Sequence, residues 1–225
     1  MNTVRVASGL VALHLMEGRL FVVLSSEPNQ RDWRLPQTYL LPNYTSLQSL
    51  YVETLKTTGI HLGRDANYLE QLYTTEDVSS GHNTVCVYYI ALFRAMKWYK
   101  GSLQTGLFPV DDLPSSLSLA EKNSIAYAVE RIRAKALYSS ILSYLIPKQF
   151  SLTELQSAHD GILGTTNDRR NFRKKILGLH VLKELPRRDT LKTTPTLYRF
   201  ADDSLLIYTK PFTQPEEVPK TALQK

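Results

Sequence analysis

A capped apolar helix, a four-residue turn and a strongly cationic helix follow one another between Ser151 and Leu179, and few folds accommodate that order. Ser151 and Glu154 have the spacing of a capping box, in which each side chain satisfies a backbone N–H near the other residue. Leu152, Leu155, Ala158 and Ile162 then form an apolar stripe that runs up to Gly164. After Gly164-Thr165-Thr166-Asn167, the stretch from Asn167 to Leu179, NDRRNFRKKILGL, gathers five Lys and Arg. At about 100° per helical residue, Phe172, Ile176 and Leu179 share one face while Arg170, Arg173 and Lys174 gather on the other. Asn167 or Asp168 is suited to cap the start of this helix, and Gly178 is expected to end it in the left-handed conformation.

A charge run is often only a solvated helix face. Its surroundings argue for more here. Val181 to Leu185 and Thr196 to Phe200 are predicted to pair as strands around Pro186 to Pro195, a loop that holds Arg187, Arg188 and Lys192. Helix, tight turn, basic helix and cationic hairpin make up a winged helix-turn-helix, with the basic helix as the reader. Leu205 to Tyr208 is expected to add an edge strand, and the Pro, Glu, Gln and Lys from Pro211 onward to form a disordered tail. The charge follows the same division. Met1 to Leu145 holds 13 Lys and Arg against 12 Asp and Glu; Ile146 to Phe200 holds 11 against 5; the last 25 residues hold 3 against 4. Nearly all of the net +6 therefore sits in one segment, the footprint expected where phosphates are neutralised.

The preceding part has a different grammar. Val6 to Leu15 and Leu20 to Ser25 read as a β-hairpin around Met16-Glu17-Gly18-Arg19. Ser46 to Thr57 carries Leu47, Leu50, Tyr51 and Thr54 at helical spacing and stops at Gly59. Tyr68 to Thr74 reads as a strand, the polar stretch Glu76 to Asn83 as a turn, and the almost continuously apolar Thr84 to Arg94 as a central strand. Ala120 to Tyr144 is predicted to be one long helix, with Ile125, Val129, Ile132, Ala136 and Leu137 on one side. The domain junction is placed between Tyr138 and Pro147, which gives 1–140 for the first domain, 141–210 for the second and 211–225 for the tail. Cys86 is the single cysteine, so no internal disulfide exists. No apolar run is long enough to span a bilayer and no signal peptide opens the chain, so a cytoplasmic protein is expected. His14, His61, His82, His159 and His180 show no metal-ligand spacing.

Trp33-Arg34-Leu35-Pro36 and Thr58-Gly59-Ile60 bracket a segment that resembles the Nudix hydrolase box in spacing, though not in chemistry. With the last Gly of the box on Gly59, its first Gly falls on Thr38, its first Glu on Tyr44, its Arg-Glu pair on Val52-Glu53 and its Glu-Glu pair on Lys56-Thr57. Phosphoanhydride hydrolysis on that fold needs several carboxylates to hold divalent metal. Glu53 alone remains, and Lys56 sets a positive charge where a ligand belongs. A domain without hydrolase activity is expected.

Several strings together resemble the Nudix-related transcriptional regulators of the NrtR family. They are YLEQLYT, the strand with Tyr88-Tyr89, FPVDDLP from Phe108, IPKQFSLTELQ, GILG, DRRNFRKKIL and LYRF, spread from about Gly9 to Phe200. The resemblance implies an α+β architecture, a Nudix-like α/β/α sandwich with a mixed sheet followed by a winged helix-turn-helix domain. It further implies a homodimer on a double-stranded DNA operator, expected to repress, with a small-molecule effector that is an ADP-ribose-like nucleotide or a sugar. The regulated genes would then serve NAD metabolism or sugar utilisation. Carried onto this chain, it assigns DNA contact to Arg169, Arg170, Asn171, Arg173 and Lys174, with Arg187, Arg188 and Lys192 in the wing. Trp33, Arg34, Glu53 and Lys56 become candidates for lining the effector pocket; no catalytic residue, metal ligand or cofactor is implied. The competing reading is a Nudix pyrophosphatase acting on ADP-ribose-like nucleotides, with an appended nucleic-acid-binding domain.

Overall fold

The computed structural model describes residues 4–40, 54, 66–77, 83–94, 103–186 and 195–212. Among them, six strands form a mixed sheet: β1 (Arg5–Met16), β2 (Arg19–Ser26), β3 (Gln37–Tyr39), β4 (Ala66–Asp77), β5 (Thr84–Phe93) and β6 (Gln104–Pro109). The order is β4-β5-β1-β2-β6, with β3 on β1 beside the start of that strand. Among the described strands only β1 and β5 run parallel, in a ladder from Arg5↔Thr84 to His14↔Phe93. The hairpin between β1 and β2 turns at Glu17 and Gly18, whose φ values of 52° and 76° are those of a type I′ turn.

Alternation along the strands divides the apolar residues between two faces. Val11, Leu13, Val22, Leu24, Tyr88 and Ile90 point to one face, where α1 (Leu119–Tyr138) covers them with Ile125, Ala128, Val129 and Ile132. Leu10, Ala12, Val23, Ala91 and Phe93 point to the other and are buried as well. Thr54, a buried helical residue, reaches the Ser8 carbonyl with its hydroxyl at 3.5 Å. The rest of the segment read as the helix Ser46 to Thr57 lies outside the described residues, as do Glu53 and Lys56.

Helix α1 starts with a capping box. Ser118 Oγ accepts from the Glu121 N–H at 3.2 Å and Glu121 accepts from the Ser118 N–H at 2.8 Å. The same buried carboxylate accepts the Leu35 N–H at 2.8 Å and faces Arg34 at 3.4 Å, so it fastens the WRLP segment to the helix. Farther along, Lys135 and Arg131 both engage Glu70 of β4, at 2.8 and 2.7 Å. Burial would raise the Glu70 pKa, but Lys135, the Tyr68 hydroxyl and Arg131 outweigh it and hold the carboxyl at about 2. The helix does not run on to Tyr144 as its periodicity suggested. Ser139 is extended (φ −148°, ψ 166°), and Ile141–Tyr144 forms a separate 3-10 turn whose four residues are all buried.

The winged helix follows, with β7 (Phe150–Ser151), α2 (Leu152–Leu163), α3 (Arg169–Gly178), β8 (Leu182–Glu184) and β9 (Leu197–Phe200). Strands β8 and β9 pair as expected, Leu182 opposite Phe200, while β7 adds a third strand on the far edge of β9. Leu205 to Tyr208 does not extend this sheet. Ile207 instead bridges Ser139, and Leu206 exchanges hydrogen bonds with Ser140, because the linker left open by the end of α1 has unpaired backbone to offer. Phe212, counted in the expected tail, is only 4% exposed, and residues 213–225 lie outside the described residues.

The two halves touch closely. A Cβ on Gly161 in α2 would stand 1.7 Å from the Gly18 carbonyl oxygen at the tip of the β1–β2 hairpin. Arg133 of α1 donates to the Ile162 carbonyl at 2.8 Å, and Arg94 donates to the Ser143 carbonyl at 2.6 Å. Gly161→Ala should therefore destabilise the protein, because overpacking costs of about 1–3 kcal/mol exceed the roughly 1 kcal/mol gained in helix propensity. Gly178→Ala, where a Cβ meets nothing within 4 Å, should stabilise by about 1 kcal/mol. Urea titration of both variants checks the opposite signs.

Candidate nucleic-acid interface

The turn before α3 is pinned from α2. Gln156 donates to the Asn167 carbonyl at 2.7 Å, the Asn167 N–H donates to Asp160 at 3.3 Å, and its side-chain amide donates to the same carboxylate. Gly164 ends α2 in the left-handed conformation (φ 67°), with its N–H on the Asp160 carbonyl. Of the two candidate caps for α3, Asp168 fills the role and accepts the Asn171 N–H at 2.9 Å. Gly178 is the last helical residue rather than the left-handed one. That conformation falls to His180 (φ 54°), two positions later.

These fixings orient α3 so that Phe172 and Ile176 are buried, at 2% and 3% exposure, with Leu179 half-buried beside them. Arg169, Arg170, Asn171, Arg173 and Lys174 are all exposed along the outer surface. Lys175, which the sequence pattern left out, is exposed on the same helix with its ammonium 5.6 Å from the centre of the Phe212 ring. Arg169 reaches back to the Thr153 hydroxyl at 3.2 Å, which ties the first turn of α3 to α2. The wing candidates Arg187, Arg188 and Lys192 lie outside the described residues; the strands on either side of them are in place.

Beneath α3 sits an aromatic cluster of His159, Phe172 and Phe212, with ring centres 4.7 to 5.3 Å apart. The cluster supports the helix from below. Local composition gave no sign of Phe212, which stands at the edge of a Pro- and Glu-rich stretch and is recruited only by tertiary contact.

Of the effector candidates, Trp33 and Arg34 lie among the described residues. Trp33 is half-buried, packs on Phe108 with ring centres 4.8 Å apart, and covers Gly106. Arg34 is held by Asp32 at 3.1 Å and Glu121 at 3.4 Å, so its charge is engaged by acids on its own side of the sheet. Among the described residues no group of three or more His, Cys, Asp and Glu is placed to hold a metal ion.

The family model of the NrtR DNA-binding winged helix domain matches residues 142–200. Residues 142–200 therefore form a winged helix domain of the NrtR kind. The ADPR responsive transcriptional repressor NtrR of Acinetobacter baylyi is 27% identical over 198 residues, which cover 82% of this chain and 77% of that protein. The crystal structure of Shewanella oneidensis NrtR complexed with a 27mer DNA superposes with a TM-score of 0.70 at 22% identity, over 92% of this chain and 98% of that one. A MutT/nudix family protein from Enterococcus faecalis does so with a TM-score of 0.66 at 20% identity, over 89% of each chain. The NrtR fold, a Nudix-like domain joined to a winged helix, is thus the fold of this chain. No helix among the described residues is long and apolar enough to cross a membrane.

Burial pushes the His159 imidazole below its ordinary pKa of 6.5; Asp160 opposes this and Lys175 adds to it. The unfolded chain therefore takes up this proton at higher pH than the folded one. Stability present above about pH 6.5 is lost as the pH falls toward the folded value. Urea unfolding at about pH 7.5 and about pH 5.5 should show this loss, and His159→Phe should reduce it.

Proposed function

We propose that this chain is a ligand-responsive, DNA-binding transcriptional regulator, a repressor that acts in the cytoplasm as a homodimer on a palindromic operator. Its α3 reads DNA through Arg169, Arg170, Asn171, Arg173 and Lys174, with Arg187, Arg188 and Lys192 of the wing reaching flanking phosphate. Its Nudix-like domain binds the effector, an ADP-ribose-like nucleotide or a sugar, and controls genes of NAD metabolism or sugar utilisation. The observation that carries this reading is the division of α3, with apolar residues buried and every cation of the helix exposed. A relative named as an ADPR responsive repressor supports the sensor role and favours the nucleotide over the sugar.

The coupling has a structural basis in the contacts between the halves. The β1–β2 hairpin tip abuts α2, and α1 donates a hydrogen bond to its last turn, so a shift in the sensor domain displaces the helix that holds α3. A coupling free energy of about 1–3 kcal/mol is enough to change operator affinity by roughly 5- to 150-fold.

Fluorescence anisotropy with DNA from upstream of the chain's own gene should show binding at least about a thousandfold tighter than to unrelated DNA of equal length. Equal affinity for the two would sink the proposal. Arg170→Ala, Arg173→Ala and Lys174→Ala should each lower the slope of log affinity against log salt by about 0.9. ADP-ribose or arabinose should release the DNA, whichever is the effector.

Loss of hydrolysis belongs to the same proposal and rests on Val52, Lys56 and Thr57 at positions where the Nudix box has Arg, Glu and Glu. Incubation with ADP-ribose and magnesium should leave the nucleotide intact by chromatography. Turnover that vanishes in Glu53→Gln would restore the pyrophosphatase reading.

A further inference from the structure

Residues 201–212 follow the segment matched by the winged-helix family and bring one more cation to the side of α3. Two backbone hydrogen bonds hold this strap to the end of α1. The Tyr208 N–H donates to the Tyr138 carbonyl at 2.7 Å and the Phe212 N–H to the Leu137 carbonyl at 2.5 Å. The Phe212 side chain then plugs in among His159 and Phe172. Between these two fixed points Lys210 stands exposed.

A trough of about 480 Å³ opens at that place, with Leu179 and Phe212 among its apolar lining and Asn171, Lys174, Lys175 and Lys210 among its polar lining. Three lysines thus border it. Lys174 belongs both to this border and to the outer face of α3, so the trough adjoins the surface offered to DNA. Ammonium groups on flexible stems, beside an amide donor, complement a phosphate rather than a base edge.

We propose that Lys210 is a DNA-contact residue that meets a backbone phosphate together with Lys174 and Lys175, and that Phe212 is the positioning residue that brings it there. The inference rests on the regulator reading above and adds to it a contact from outside the winged helix. It also attaches that contact to the sensor domain, because both hydrogen bonds flanking Lys210 end on α1.

The experiment is the salt dependence of binding to the upstream DNA, using the full chain. Lys210→Ala should lower the slope of log affinity against log salt by about 0.9 and weaken upstream and unrelated DNA alike, while Lys210→Arg keeps the slope. Phe212→Leu, which retains an apolar plug, should keep the slope more nearly than Phe212→Ala, with circular dichroism confirming that both variants are folded. An unchanged slope in Lys210→Ala, when the wild type still distinguishes upstream from unrelated DNA, overturns this inference and leaves the regulator reading standing. Failure of the wild type to distinguish them overturns both. If ADP-ribose raises the Tm of the wild type but not of Lys210→Ala, with the DNA slope unchanged, the trough serves a free nucleotide phosphate and the inference is overturned.

Discussion

The contact between Gly161 and the tip of the β1–β2 hairpin sets how the two halves of this chain can be joined. A helix interior is a poor place for glycine, which costs about 1 kcal/mol there relative to alanine. Here the missing side chain lets a backbone carbonyl from another domain lie where a Cβ would otherwise be, and no rotamer change could make the same room. The type I′ turn of Glu17 and Gly18 supplies the matching narrow tip. With α2 held there, Arg133 meets the end of α2 and the 3-10 turn Ile141–Tyr144 is buried, so a single apolar cluster extends from the Nudix-like sheet to Phe172 and Ile176. Linked domains whose interface is small and polar move independently. Here an apolar cluster runs through the junction, and under the regulator reading it is the route by which the winged helix would follow the sheet.

The recognition helix shows how such a frame turns composition into a binding surface. Five cations in ten residues would repel one another in a free peptide, and the helix has little intrinsic reason to form. Its stability comes from Phe172 and Ile176 below, from the Asp168 cap, and from the Asp160 and Gln156 hydrogen bonds that fix the preceding turn. Phosphate contact of the kind proposed above would relieve the repulsion that remains. A helix already held in this way does not have to be folded by its ligand, so binding energy can go into affinity rather than into folding.

Much of this could be read from the sequence because the decisive signals were local. The Ser151–Glu154 box, the stripe of Leu155, Ala158 and Ile162, the Glu17-Gly18 turn and the β8–β9 pair each depend on residues a few positions apart, and each is found. What escaped depends on partners far along the chain. The periodicity of α1 continues past Tyr138 because Ile141, Leu142 and Leu145 are apolar for a different reason, burial in a 3-10 turn. Gly178 attracted the left-handed role by residue type, yet the helix places that conformation at His180, a residue type that tolerates it. Phe212 was hidden in a polar tail, and Glu121 carried no mark that it would serve a cap, a strand and an arginine at once. The effector candidates gain least from the structure, since Trp33 packs on Phe108, Arg34 pairs with Asp32 and Glu121, and Glu53 and Lys56 lie outside the described residues.

The strap of residues 201–212 bears on how a signal could pass. If the winged helix moved as a body against a fixed sensor domain, the spacing of Lys174 and Lys210 would change, because the strap that carries Lys210 is hydrogen-bonded to Leu137 and Tyr138 of α1 while its Phe212 ring sits against His159 and Phe172. A phosphate held between them resists that motion, and release of the motion weakens the hold on phosphate. By reciprocity, DNA in the trough favours the sensor conformation in which the two lysines are close, and an effector that prefers the other conformation loses affinity when DNA is bound. The two ligands then oppose each other without sharing a single contact. The magnitude is set by the difference between the conformations in one or two phosphate contacts per chain and lies within the few kcal/mol that a regulator needs.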